Sequence, residues 1–434
     1  ARHLLHAGPR AAAADAAVLA AEAARRSLDV PGALGHLEDA ARLRTGVAAA
    51  EPALAAAELA TALGDYPRAT TLLEQATRAA RTWRESPEAG SDSAPLPARI
   101  ALAGARLALR QGRYDAAESA ALALLPEGGD DEPGAGPDDT LALEARALAA
   151  RAQIARARYA EASRLTDHPL GAALGEPPAR TRARAALAET AGLARFYLGD
   201  LDAAERPFDA VAAAARLLED DALLGRARSL AGMVAQQRGA IDVAAGCYQE
   251  ALTLAQRASD LHGAAVYAAN LGAALKERAD YAGALARCAD AVRDLGRLGR
   301  TAELAGALFN RGVLLIALGD LPGAARAAAR AHAEAAALGA PLMAGYARLL
   351  EGDLLRRRAD LAGAAHAYQE GERQFTSAGA SREATLAALN GIEILLETGR
   401  FAEAHGALSR RTSTSTSTST SADLSPVSYT HLTL

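Results

Sequence analysis

Six copies of one short signature recur at 40-residue intervals in the second half of this chain. They read GDLDAA (199–204), GAIDVA (239–244), ADYAGA (279–284), GDLPGA (319–324), ADLAGA (359–364) and GRFAEA (399–404). Each closes on an alanine: Ala204, Ala244, Ala284, Ala324, Ala364 and Ala404. Twelve residues before each of the first five stands a glycine: Gly192, Gly232, Gly272, Gly312 and Gly352. Small residues held in register over five periods mark an array of near-identical units. In such an array each unit packs only on its neighbours and no single core grows. A length of 434 residues therefore does not imply several globular domains, as it would for an ordinary chain.

Within a unit, VYAANLGAALKER (266–278) carries a helical apolar pattern, ADY interrupts it, and AGALARCADAVRDL (282–295) resumes it. The second stretch places Ala284, Cys288, Ala291 and Leu295 at helical spacing. The interruption has helix-ending and helix-starting chemistry. Gly199, Gly239, Gly319 and Gly399 suit the left-handed conformation that closes a helix. Asp200, Asp280, Asp320 and Asp360 suit the cap of the next one. Pro67 and Pro322 fall in a first turn, where the missing N–H costs little. Each unit is thus predicted to be a helical hairpin. Half the residues are apolar, only 4% are aromatic, and alanine, the best helix former, dominates. No segment alternates as a strand does.

The pattern resembles the tetratricopeptide repeat, on particular residues. Leu271-Gly272 matches the leucine-glycine pair of that family's first helix, and Tyr248 and Ala251 match the aromatic and alanine of its second. The family's period is 34. The glycine-to-alanine span here is the family's twelve, so the added six residues are expected in the second helix and the following connection. The small glycine and alanine are expected to bring the two helices together. The larger residue four after the alanine (Phe208, Tyr248, Tyr368, Leu408) is expected to fill the gap to the next unit. Cys288 occupies that same place and reads as a small core residue.

The first half carries the signal less regularly. GDYPRA (64–69), GRYDAA (112–117) and ARYAEA (157–162) are turns, and DVPGA (29–33) is a weaker one. The excess length falls in RESPEAGSDSAPLP (84–97), PEGGDDEPGAGPDDT (126–140) and DHPLGAALGEPP (167–178), which read as exposed linkers. The expectation is an all-α solenoid of about ten tetratricopeptide-like hairpins, wound into a right-handed superhelix with the first helices on its concave face. Residues 1–10 read as the truncated end of a preceding segment, since the chain opens on Ala1 and its first methionine is Met233. Irregular repeats follow over 11–165 and regular ones over 166–410. Residues 411–434 are a low-complexity tail, expected to be disordered; its PVSYTHLTL end (426–434) reads as translated sequencing-adapter DNA.

Composition narrows the function classes. The net charge of −5 is spread along the chain, and no basic stripe suggests nucleic acid. No apolar run reaches membrane length and no signal peptide opens the chain, so a cytoplasmic location is expected. Cys247 and Cys288 form no disulfide or metal spacing. His366 and His405 fall near each other in the repeat register without a third ligand, and read as solvated. No phosphate loop, dinucleotide fingerprint or nucleophile elbow is present. No catalytic residue, metal or cofactor is expected.

The resemblance places the residue two before each glycine on the concave face: Asn270, Asn310 and Asn390, with Thr190, Leu230 and Leu350 elsewhere. An asparagine amide donates and accepts at once, so a ladder of them would hold an extended peptide by its backbone. Gln236, Gln237, Lys276, Phe309, Tyr346, Arg356 and Arg357 would then read side chains, the arginines clamping a carboxylate. Alternatively, the asparagines are bonded between helices inside the stack. The resemblance extends to the repeat regions of large bacterial signalling and transcriptional regulators, in which a STAND-type ATPase or a kinase accompanies the repeats. It implies a protein-binding scaffold acting as the sensor or partner arm of such a chain. A free-standing adaptor and a peptide-pheromone receptor are the other readings.

Overall fold

The structure is a computed structural model, and it describes residues 9–26, 29–84, 95–125, 139–156, 158–167, 176–298, 302–339, 341–378 and 380–415. Most of the expected linkers, and the expected tail from residue 416, lie outside the described residues. Among the described residues there are twenty α-helices and no strand. The chain divides into two compact units, Ala1–Ala152 and Gln153–Leu434.

The first unit contains α1 (Pro9–Arg26), α2 (Val30–Leu43), a 3₁₀ turn (Gly46–Ala49), α3 (Ala50–Ala62), α4 (Tyr66–Arg84), α5 (Pro95–Arg110), α6 (Tyr114–Leu122) and most of α7 (Asp139–Ala155). Its main core gathers Leu34, Leu37, Leu54, Leu72, Leu73, Ile100 and Leu107, with alanines between them. The first helices are tied by ion pairs at a constant offset. Arg99 meets Glu51 at 2.6 Å and Arg106 meets Glu58 at 3.5 Å, which sets α5 parallel to α3. Arg106 also reaches Glu144 on α7 at 2.8 Å.

The second unit contains α8 (Tyr159–Leu165), α9 (Pro178–Tyr197), α10 (Leu201–Leu217), α11 (Asp221–Gln237), α12 (Ile241–Arg257), α13 (Leu261–Glu277) and α14 (Tyr281–Arg297). It continues with α15 (Ala302–Ala317), α16 (Leu321–Leu338), α17 (Pro341–Arg357), α18 (Leu361–Ser377), α19 (Ser381–Glu397) and α20 (Phe401–Ser415). The last helix runs past residue 410, where the repeats were expected to end. Every turn predicted from the signature separates two of these helices.

The break residues act as their chemistry requires. Asp200, Asp280, Asp320 and Asp360 each accept a hydrogen bond from the backbone N–H three residues on, at 2.8–2.9 Å. Asp220 and Asp260 cap first helices in the same way. Gly199, Gly239, Gly319 and Gly399 all have positive φ. Two of the six regular repeats lack the glycine, and there Ala279 (φ 61°) and Ala359 (φ 62°) take the left-handed conformation instead. A Cβ makes that costly by about 1–2 kcal/mol. Ala279→Gly and Ala359→Gly are each expected to stabilise the array by about 0.5–1 kcal/mol, the relief less glycine's entropy. Urea unfolding followed by circular dichroism measures this; no gain would mean the turns relax without strain.

The added length is not confined to the second helix. From α11 to α14, helices of both kinds are seventeen residues long, joined by three-residue connections. The place of the large residue also differs from expectation. A Cβ on Gly232 would lie 2.7 Å from the ring of Tyr248, and one on Gly272 would lie 2.9 Å from Cys288 Sγ. Gly192 stands under Phe208, and Gly352 under Tyr368, still more closely. The bulky residue therefore covers the bare helix surface of its own hairpin, and Tyr368 also shares a core cluster with Ala384 and Ala387 of the next. Cys288 is buried as expected, and desolvation pushes its thiol up to about 11. Leu408 does not fill any such space and is 46% exposed. The position matching the glycine is Ile392 there, which is itself buried.

Candidate peptide-binding face

In the second unit the first helices contact one another in succession: α11 with α13, α13 with α15, α15 with α17. No pair of successive second helices has comparable contact. The first helices thus form the closer-spaced layer, and all ten candidate groove residues lie on them.

Polar pairs stitch this layer. Arg226 of α11 meets Glu189 of α9 at 3.3 Å, and Gln236 of α11 donates to Glu277 of α13 at 2.6 Å. His262 lies 3.5 Å from Glu303. Arg356 of α17 reaches Glu393 of α19 at 2.7 Å and also pairs with Glu397. Tyr346 donates to Glu383 at 3.5 Å. The separations are 37 or 41 residues, one period less three or plus one. Those offsets are where two neighbouring parallel helices face each other. A search of the sequence for complementary residues 37 and 41 apart would have found these partners, which the repeat reading alone passed over.

The candidate residues separate accordingly. Gln236 is buried and doubly engaged, since it also accepts from Tyr248 Oη at 3.0 Å. Phe309 is 1% exposed and packs on Tyr346 with ring centroids 5.3 Å apart; Tyr346 in turn meets Phe375 edge-on at 5.0 Å. Arg356 is held by its two glutamates. Asn270 is buried and its amide donates to Ser229 Oγ of α11 at 3.4 Å. Asn270 and Asn310 both line a cavity of about 10 Å³ beside Glu303. Asn310, Asn390 and Lys276 are half-buried, while Gln237 and Arg357 are exposed. Burial pushes the Lys276 ammonium below its usual range, with Glu277 opposing. The asparagine series is interrupted by Leu350, which is fully buried.

Leu350 has a specific task. The hairpin of α15 and α16 carries Ala328 where the other regular hairpins carry an aromatic, a cysteine or a leucine, so no large residue of its own stands over Gly312. Leu350 reaches in from α17, and a Cβ on Gly312 would collide with its methyls. Burial raises the Asp353 carboxyl nearby, although Tyr368 Oη donates to it at 2.7 Å.

No family model and no curated protein matches this chain. Solved structures do. A Rap protein complexed with competence and sporulation factor is 13% identical, with a TM-score of 0.48, covering 82% of this chain and 99% of that one. A STAND protein with a tetratricopeptide repeat sensor from Pyrococcus horikoshii is 14% identical, with a TM-score of 0.46, covering 82% and 54%. The apo form of the quorum sensor NprR from B. thuringiensis is 13% identical, with a TM-score of 0.40, covering 80% and 98%.

The chain is a tetratricopeptide-like α-solenoid. That statement rests on its own hairpins: the glycine-to-alanine span, the tight capped turn and the large residue over the glycine. Among the described residues of this solenoid, no group of three or more His, Cys, Asp and Glu is placed to hold a metal ion. No described helix is long and apolar enough to cross a membrane.

Proposed function

We propose that this chain is a non-catalytic scaffold that takes an extended peptide or protein segment on the first-helix face of its second unit. One observation carries the reading. On a face where most polar residues are paired along the array, Gln237, Lys276, Asn310, Asn390 and Arg357 keep part of their side chains exposed and make no hydrogen bond or ion pair among the described residues. Asn310 and Asn390 supply amides for a peptide backbone, and Arg357 supplies a fork for a carboxylate. The cytoplasmic partner-binding arm of a larger regulator is the setting that suits such a face, with an ATPase or kinase in the same full-length chain.

The test begins with peptides selected on the intact protein from a random display library. Their affinities are then measured by fluorescence anisotropy for Asn310→Ala, Asn390→Ala and Arg357→Ala. Each substitution is expected to weaken binding by about 1–2 kcal/mol, the worth of a hydrogen bond to a committed partner. Asn270→Ala is the contrasting case. It should lower stability by about 1 kcal/mol and leave affinity unchanged, because its partner is Ser229. Affinity insensitive to all three exposed substitutions, in folded protein, would refute this use of the face.

A further inference from the structure

A second site lies in the first unit, apart from the face just described. An open cleft of about 780 Å³ runs between helices α4 and α5, within the range of ligand pockets. Its floor is apolar: Leu73 from α4, and Ile100, Ala101 and Leu107 from α5. Gly104 opens directly into it, and a Cβ built there would meet nothing within 4 Å. Arg99–Glu51 and Arg106–Glu58 hold α5 to α3.

The rim carries three arginines, Arg78, Arg81 and Arg113, against one acid, Glu74. Among the described residues none of the three is paired with a carboxylate. Arg113 donates to the Gln111 amide oxygen at 2.8 Å, and Arg78 makes only a 3.4 Å contact to a backbone carbonyl of its own helix. Since α3 and α4 form a hairpin and α5 parallels α3, α4 and α5 are antiparallel. Arg78 and Arg81 therefore stand at one end of the cleft and Arg113 at the other. Thr70 and Thr77 keep acceptor lone pairs on the wall between, their hydroxyls donating to Tyr66 and Leu73 carbonyls.

Length and charge select the occupant. From Thr70 to Arg81 the wall spans eleven residues, about 16 Å at 1.5 Å per residue. An extended chain rises about 3.3 Å per residue, so about five residues match that length. Three arginines against one acid on the rim make the complement an acidic chain. We propose that this cleft binds an extended acidic peptide of about five residues, apolar at its centre and carboxylate-bearing at both ends. The apolar side chains cover the leucine and isoleucine floor, and the terminal carboxylates meet the arginines.

The experiment is an array of acetylated pentapeptides with acidic first and fifth residues and apolar middles, alongside matched sets with basic and with neutral ends. The intact chain is the probe, and dissociation constants follow by fluorescence anisotropy with labelled peptides. Binding is expected for the acidic set and is expected to weaken with salt. Arg81→Ala and Arg113→Ala should each weaken it about tenfold, the usual consequence of losing a charge-assisted contact. Gly104→Leu fills the cleft from a helical position that accepts a side chain, so it should abolish binding while circular dichroism and melting temperature are kept. Asn310→Ala, in the second unit, should leave this binding unchanged. No binding of the acidic set, equal binding of the basic set, or binding that survives Gly104→Leu in folded protein would each overturn the proposal.

Discussion

Tyr248→Ala is expected to lower the stability of the regular array by about 4 kcal/mol, within the 3–5 kcal/mol range for deleting a buried aromatic ring. Tyr248 is fully buried, and its ring lies on Gly232. Nothing beneath it can move in, because a glycine offers no side chain to repack. The hydroxyl is also used: it donates to Gln236, which in turn donates to Glu277 on the next first helix. The substitution therefore leaves a void and orphans a buried acceptor, two costs that add. Tyr248→Phe separates them and should cost only about 1 kcal/mol, the hydrogen bond alone. Both are read from urea midpoints at constant slope, and a repeat array transmits the loss to its neighbours through the shared interfaces. A cost under 2 kcal/mol for Tyr248→Ala would show that the hairpin closes over the gap, against the rigid glycine contact described.

Leu350→Asn is expected to cost about 3–5 kcal/mol, although it would restore the residue that two neighbouring units carry at this position. The leucine is 0% exposed and covers Gly312, because Ala328 leaves that space empty from within its own hairpin. Asparagine would open a cavity and bury an amide without a partner. A compensating change follows from the same geometry. Ala328→Tyr supplies the ring that Tyr248 and Tyr368 supply elsewhere, so it should recover at least half of the loss in the Leu350→Asn background. In the parent chain it should destabilise, because Leu350 already fills the site. The double-mutant cycle gives the coupling directly. Independent, additive effects of the two substitutions would remove Leu350 from this role.

Much of the fold was legible because its determinants are local. The left-handed turn needs glycine, the next helix needs an aspartate cap, and both sit a few residues apart in one stretch. Their recurrence located each turn, and even the irregular first half kept them. The alanine places of Ala279 and Ala359 were legible too, since they align with glycines; their strain was not, because φ belongs to the folded backbone. That the large residue rests on the glycine of its own hairpin was not legible for a similar reason. The spacing showed that Phe208, Tyr248 and Tyr368 are large and buried, but direction across a helix is settled by which neighbour leaves room, and the glycine of the same hairpin does.

The candidate site was legible only in part. Register alone put ten side chains on the first helices. Whether each is open depends on what stands opposite on the adjacent helix. Gln236 meets Glu277, Asn270 meets Ser229 and Arg356 meets two glutamates, so these bind the array to itself. Among the described residues, Asn310, Asn390, Gln237, Lys276 and Arg357 have no such partner across the layer. The cleft between α4 and α5 had no sequence signature at all, since a groove depends on how two packed helices diverge along their length.

By itself, the sequence determined the all-helical class, the hairpin unit, its turns and its small-residue contacts, since helix propensity, caps and left-handed turns act within a few residues of the chain. The tertiary structure alone decided which polar residues are spent between neighbouring helices, which leucine covers which glycine, and where a cleft stays open. Those depend on groups about 37 to 48 residues apart, brought together only when one hairpin stacks on the next.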